Sequence, residues 1–226
     1  MTQGPPTTPP RFLLTGFGPF GEFATNPSWE LARRFQDLTI SMVRIETAEL
    51  PVTWAGAWPA LEAAIARVRP RWVLLLGVGG TRTRAGAEVR ARNYTNPIPD
   101  TAGALPPPGD VIRPGAPPYR TATLPAPLIA ERFQTAGVPA EVSTDAGGFL
   151  CNWTLYHALE AAPRLPGVRG IGFVHVPPVT APADLAALER GLRAVVDGIV
   201  AGAAPLYALV EAEIEAERQG EEAARG

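Results

Sequence analysis

Hydrophobic positions along the chain follow two alternating patterns: short continuous apolar runs, and longer stretches in which apolar residues recur every three or four positions. Phe12-Leu13-Leu14-Thr15 predicts a short buried strand, and a second runs from Met42 to Ala48, ending at Leu50-Pro51-Val52. Trp72 to Leu76 is uninterrupted between Arg71 and Gly77, as expected of a strand covered on both faces. Ala140 to Ser143 and Gly170 to Val176 complete the strand set, the latter stopped by Pro177-Pro178. Between the strands, Asn26-Pro27 predicts a helix start with Asn26 as N-cap and Pro27 in the first turn. Trp54, Trp58, Leu61 and Ile65 form one stripe of a helix reaching about Val68. Further helices are predicted over 128–135, from Phe149 to about Ala162, and along Leu185, Leu188, Leu192, Val195, Val196 and Ile199. Strand and helix therefore alternate, which predicts an α/β fold: a mostly parallel sheet with helices on both sides.

With 226 residues, 46% of them hydrophobic, the chain is expected to form one catalytic domain over residues 11–217. Met1 to Pro10, polar and proline-rich, reads as a disordered tail. The charged, alanine-rich Glu211 to Gly226 reads as a fraying helix, with 218–226 as a frayed tail. A net charge of −2 gives little electrostatic footprint for nucleic acid or an anionic membrane. One cysteine makes no intramolecular disulfide, and one cysteine with two histidines matches no structural zinc spacing. No apolar run reaches the length of a membrane span and the N-terminus lacks the regions of a signal peptide, so a cytoplasmic location is expected.

That single cysteine, Cys151, lies in Ser143-Thr144-Asp145-Ala146-Gly147-Gly148-Phe149-Leu150-Cys151-Asn152-Trp153. The paired glycines allow a sharp turn, which places the sulfur in the first turn of the following helix. Unpaired amides and the positive end of the helix dipole there favour a thiolate over a thiol and are able to bind an oxyanion. The competing reading is a small buried apolar residue. His175 closes its strand, either as a catalytic base or as a hydrogen-bonded core residue. In a parallel sheet it shares an edge with Cys151 and Glu88. Glu88 follows a central strand among Arg82, Arg84, Arg90 and Arg92, either as a site carboxylate or as their solvated partner. His157 lies six residues beyond Cys151, roughly 120° around the helix, and is excluded as its base. Gly16-Phe17-Gly18-Pro19-Phe20-Gly21 spells a dinucleotide fingerprint, but the helix signal waits until Pro27, so the match is weak. The proline-rich stretch from Asn96 to Pro127 is longer than a simple connection and predicts a lid or subunit contact.

Nucleophile, base and orienting carboxylate thus occur together. In order and spacing, four segments resemble the pyroglutamyl peptidase I (pyrrolidone-carboxylate peptidase) family: Thr15 to Gly21 with Asn26-Pro27-Ser28-Trp29-Glu30; Gly79-Gly80 with Glu88 and Asn93; Asp145 to Asn152; and Gly172 to Pro177. The resemblance implies a three-layer α/β/α fold with a twisted sheet, related to nucleoside phosphorylases. It implies Cys151 as nucleophile, His175 as general base and acid, and Glu88 as its orienting carboxylate. The substrates implied are peptides with an N-terminal pyroglutamyl residue, cleaved through a thioacyl intermediate without cofactor or metal. It further implies that Phe17, Phe20 and Phe149 line the lactam pocket, that Asn26 braces it, and that the protein forms a homodimer or homotetramer. Three positions depart from the family pattern: Val89 and Asn96-Pro97 stand where arginines are usual, and Val78 where a polar residue is common. Two alternatives stay open: another thiol amidase or esterase with an altered acyl pocket, or a non-catalytic binding protein of the same fold.

Overall fold

Alternation along the strands sorts the apolar side chains into two layers. The computed structural model describes residues 9–21 and 24–223. Its seven-stranded sheet has the order β2-β3-β1-β4-β9-β5-β8. The strands are β1 (Arg11–Phe17), β2 (Thr39–Ile40), β3 (Val43–Leu50), β4 (Trp72–Val78), β5 (Ala85–Glu88), β8 (Ala140–Ser143) and β9 (Gly170–Val176). A separate pair is made by β6 (Arg90–Arg92) and β7 (Tyr119–Thr121). β3, β1, β4 and β9 run parallel, whereas β2 is antiparallel to β3, and β5 and its parallel partner β8 run against β9.

Phe12, Leu14, Trp72, Leu74, Leu76, Val174 and Val176 face one side of the sheet. They pack with α1 (Pro27–Arg33), α3 (Ala126–Thr135) and α5 (Pro182–Ala223). Leu13, Val73, Leu75, Ile171 and Phe173 face the other side, against α2 (Ala57–Val68) and α4 (Leu150–Ala161). This is the expected three-layer α/β/α arrangement. The stripe from Leu185 to Ile199 is buried on α5, as its spacing predicts.

Several local expectations change. β2 was not foreseen, because the β2–β3 turn places Ser41 and Met42 at φ 47° and 66° without the glycine or asparagine that normally marks such a turn. Trp54 belongs to the turn before α2, held there by its N–H on Asp100 Oδ2 (2.9 Å) and its indole on the Ile98 carbonyl (3.0 Å). Glu88 ends a strand of its own that runs against the strand of His175, so the shared parallel edge expected for the two does not exist. The small residues Ala85, Gly86 and Ala87 carry little strand signal, and β9 and β8 on either side supply the pairing.

The G-x-G-x-x-G stretch is explained by packing. A Cβ on Gly16 would fall 2.4 Å from the Ser28 carbonyl oxygen, so the glycine lets α1 cross β1 closely, and α1 opens only at Pro27. Of the expected tails, residues 1–8 and 224–226 lie outside the described residues, whereas 218–223 continue α5. Pro10 is described, and its carbonyl accepts the Arg44 N–H at 3.0 Å. Among the described residues, no helix is long and apolar enough to cross a membrane.

Candidate active site

Cys151 is the second residue of α4, and its surroundings follow from the turn before it. Gly147 adopts φ 81°, Phe149 is extended, and no side chain caps the helix. The first helical bond joins Trp153 N–H to the Phe149 carbonyl (3.0 Å), so the amides of Leu150, Cys151 and Asn152 are the unpaired donors of the first turn. Asn152 anchors that turn: its Oδ1 accepts Arg92 N–H (2.7 Å), while its Nδ2 donates to the carbonyls of Arg92 (2.8 Å) and Tyr94 (2.9 Å). The sulfur then rests on Gly77. A Cβ there would come within 2.7 Å of both Cys151 Sγ and the Phe173 ring, so only glycine clears the space.

Gly77 pairs with His175 across β4 and β9, which brings the imidazole beside the sulfur. The Cys151 sulfur is close enough to act on the imidazole electrostatically, and His175 Nδ1 lies 2.8 Å from Glu88 Oε1. Glu88 reaches it from across the sheet: it pairs with Phe173, so its side chain shares a face with His175 two residues on. At 1% exposure Glu88 is no solvated partner of the arginines. Of the four arginines around it in sequence, only Arg82 bonds to it. Arg90 donates to the Thr144 carbonyl (3.2 Å) and Arg92 pairs with Asp145 (2.7 Å). Burial pushes the His175 imidazole down, but the Cys151 sulfur and the Glu88 carboxylate outweigh it, and the imidazole is raised to about 9. A raised histidine contributes stability below its unfolded value of 6.5, and that contribution is lost as the pH climbs through about 9.

Above this pair lies a cavity of about 190 Å³ lined by Phe17, Phe20, Asn26, Phe149, Cys151 and His175 together with Val52 and Val78. Gly18 N–H on the Leu50 carbonyl (2.9 Å) ties the aromatic loop to the end of β3. Asn26 holds the loop from the other side: its Nδ2 donates to the Gly18 carbonyl (2.9 Å) and its Oδ1 accepts from Ser28 N–H (3.0 Å) and Oγ (2.8 Å). Phe149 is held edge-on by Trp54, with ring centroids 5.2 Å apart. The result is an apolar chamber with a thiol and an imidazole at its floor.

Residues 10–203 match the protein family described as pyroglutamyl peptidase. A pyrrolidone-carboxylate peptidase of Gloeobacter violaceus is 38% identical over 198 residues, covering 83% of this chain and 95% of that protein. The chain belongs to the pyroglutamyl peptidase family. A second relative, the pyrrolidone-carboxylate peptidase of Yersinia pestis, is 37% identical over 168 residues, 74% of this chain and 78% of that protein. Among solved structures, pyroglutamyl peptidase I of Bacillus amyloliquefaciens superposes with a TM-score of 0.78 at 29% identity, covering 85% of this chain and 97% of that one. Pyrrolidone carboxyl peptidase of Thermococcus litoralis gives 0.78 at 27% identity, covering 84% and 93%.

The four segments that carry the family resemblance converge on this chamber, with different parts to play. Asn93 serves the proline-rich loop: its Oδ1 accepts Arg113 N–H (2.8 Å) and its Nδ2 donates to the Arg113 carbonyl (2.8 Å). That loop is pinned onto α4, where Tyr156 Oη donates to the Pro117 carbonyl (3.1 Å). Val52, Trp54 and Arg82 gave no sign of their place in the sequence. Val52 and Trp54 read as a strand end and a helix stripe, and Arg82 was one arginine among four.

His157 stays outside the chamber, as its angle around α4 predicts. It packs between Trp58 and Trp153, with centroids 5.9 and 4.5 Å away. Burial, assisted by Arg113 and opposed by Glu160, lowers it from 6.5 to about 4. A depressed histidine costs stability where only the unfolded chain takes up its proton, so the penalty grows as the pH falls from 6.5 towards 4. His157→Phe is expected to flatten the fall in melting temperature across that interval, measured against the wild type in thermal melts. An unchanged slope would contradict the assignment.

Proposed function

We propose that the protein is a cysteine peptidase that removes an N-terminal pyroglutamyl residue from peptides, with Cys151 as nucleophile, His175 as base and acid, and Glu88 as orienting carboxylate. The observation that carries this reading is the convergence of Cys151 and His175 at one chamber, with Glu88 Oε1 2.8 Å from His175 Nδ1 and the sulfur at an uncapped helix start. Glu88 on Nδ1 leaves Nε2 to face the sulfur.

Cys151 attacks the pyroglutamyl carbonyl carbon, forming a C–S bond, and the oxygen takes up the negative charge. The amides at the start of α4 stabilise that oxyanion. His175 transfers its Nε2 proton to the leaving amine as the C–N bond breaks, which leaves a thioester and a peptide shortened by one residue. The neutral imidazole then takes a proton from water, the hydroxide adds to the thioester, and collapse releases pyroglutamate and restores the thiolate–imidazolium pair. A lactam is neutral and lacks a free α-amine, which suits walls made of Phe17, Phe20, Phe149, Val52 and Val78, with Asn26 bracing them.

Within this reading the catalytic domain spans 11–217, a reducing cytoplasmic compartment keeps the thiol free, and no cofactor takes part. Exposed Ile98, Leu105, Val111 and Tyr119 on the proline-rich stretch support assembly as a homodimer or homotetramer.

Val78 favours a second reading, a thiol amidase for another acyl group, because its methyls line the chamber where the family commonly has a polar residue. A panel of arylamides separates the two. The pyroglutamyl compound is expected to turn over at least about 100-fold faster than its prolyl analogue, which lacks the lactam carbonyl. Preference for any non-lactam acyl group overturns the first reading in favour of the second.

A further inference from the structure

Glu88 Oε1 is shared. His175 Nδ1 lies 2.8 Å from it on one side, and Arg82 Nη2 donates to it at 2.9 Å on the other. Oε2 is buried and has no partner among the described residues, so both contacts converge on one oxygen. Arg82 is itself fixed: the same nitrogen reaches Ser143 Oγ (3.0 Å) and the Asp145 carbonyl (3.2 Å), and Nη1 lies 3.6 Å from Glu141.

The backbone clears a path for it. A Cβ on Gly79 would fall 2.6 Å from Arg82 Cδ, and one on Gly86 would fall 2.1 Å from Nη1. Gly86 is also the residue opposite His175 in the antiparallel pair, so the guanidinium crosses the sheet at the level of the imidazole.

We propose that Arg82 is a positioning residue that fixes the Glu88 carboxylate and, through its charge, sets the pH window in which Cys151 is reactive. The proposal rests on the reading of Cys151, His175 and Glu88 given above. A guanidinium stays charged throughout the working range and holds a carboxylate in a fixed direction. Its positive charge also opposes proton uptake by every group near it. Those it touches are Glu88 on β5, Glu141 on β8 and Asp145 before α4, and through Glu88 it acts on His175 on β9 and on Cys151 on α4, which couples to His175. Arg90 and Arg92 on β6 are the other nearby cations, turned towards the Thr144 carbonyl and Asp145. Glu141 and Asp145 are exposed by more than half and weigh little. Removing the Arg82 charge therefore lets the Cys151–His175–Glu88 chain bind protons more readily and moves its titration upwards.

The test is the rate of Cys151 alkylation by iodoacetamide against pH. Cys151 is the sole cysteine, so this readout needs no substrate. In Arg82→Met the midpoint of the rise is expected about one pH unit above the wild type. The acid limb of kcat/KM should move with it, and the maximum should fall about tenfold or more. Arg82→Lys keeps the charge without the planar fork, so its midpoint should stay in place while the maximum drops. If Arg82→Met does not fold, as judged by circular dichroism, Arg82→Gln reads the same shift. A wild-type midpoint in the neutral variants with only a lower plateau reduces Arg82 to packing and overturns the proposal, as does an equal shift in Arg82→Lys. A wild type that is alkylated but does not cleave pyroglutamyl substrates defeats the functional reading instead, and the alkylation midpoints still decide the role of Arg82.

Discussion

Cys151→Ser is expected to lose about 10⁴-fold or more in turnover of a pyroglutamyl arylamide, while its melting temperature stays within about 3 °C of the wild type. The reasoning lies in what the sulfur touches. Cys151 is only partly buried and lines the chamber beside His175, so exchange for a hydroxyl removes little packing. A hydroxyl in the same place is far less acidic, and no thiolate–imidazolium pair forms. Steady-state kinetics and a thermal melt on the same preparation check both parts. Retained activity with a large fall in melting temperature would return Cys151 to the role of a small core residue.

Glu88→Gln is the second large effect expected. The amide is nearly isosteric, leaves the backbone pairing of β5 in place and keeps an oxygen that accepts from both His175 Nδ1 and Arg82 Nη2, as Oε1 does, but it carries no charge. The negative charge that stabilises the imidazolium is then gone, although the Nδ1 contact keeps its acceptor. A loss of about 10³- to 10⁴-fold in kcat is expected, with KM nearly unchanged, since Glu88 does not line the chamber. The ring-nitrogen chemical shifts of His175 should show the loss of the imidazolium form. A loss confined to KM would contradict an orienting role.

The layers were legible because the signal they depend on is written in runs of side chains. Phe12 to Leu14, Trp72 to Leu76 and Gly170 to Val176 are apolar at nearly every position, and a strand covered on both faces requires that. Cys151 and His175 were legible because breakers flank them: glycines before the cysteine, prolines after the histidine. Glu88 was singled out for its chemistry but misplaced in direction, since four small or polar residues do not reveal that β5 runs against β9. Pairing across a sheet is decided by neighbours distant in sequence. The same holds for Arg82, whose nearest sequence neighbours gave no hint that Gly79 and Gly86 leave a path from it to Glu88. Trp54 shows the opposite failure: its spacing matched a helix stripe, but Asp100, 46 residues away, holds it in a turn.

The measurement that bears most directly on the account is hydrolysis of a pyroglutamyl arylamide under reducing conditions, before and after alkylation of Cys151 with iodoacetamide, beside the prolyl analogue. The account predicts turnover of the pyroglutamyl compound alone, abolished in proportion to the fraction of Cys151 alkylated. Turnover that survives complete alkylation would contradict Cys151 as the nucleophile.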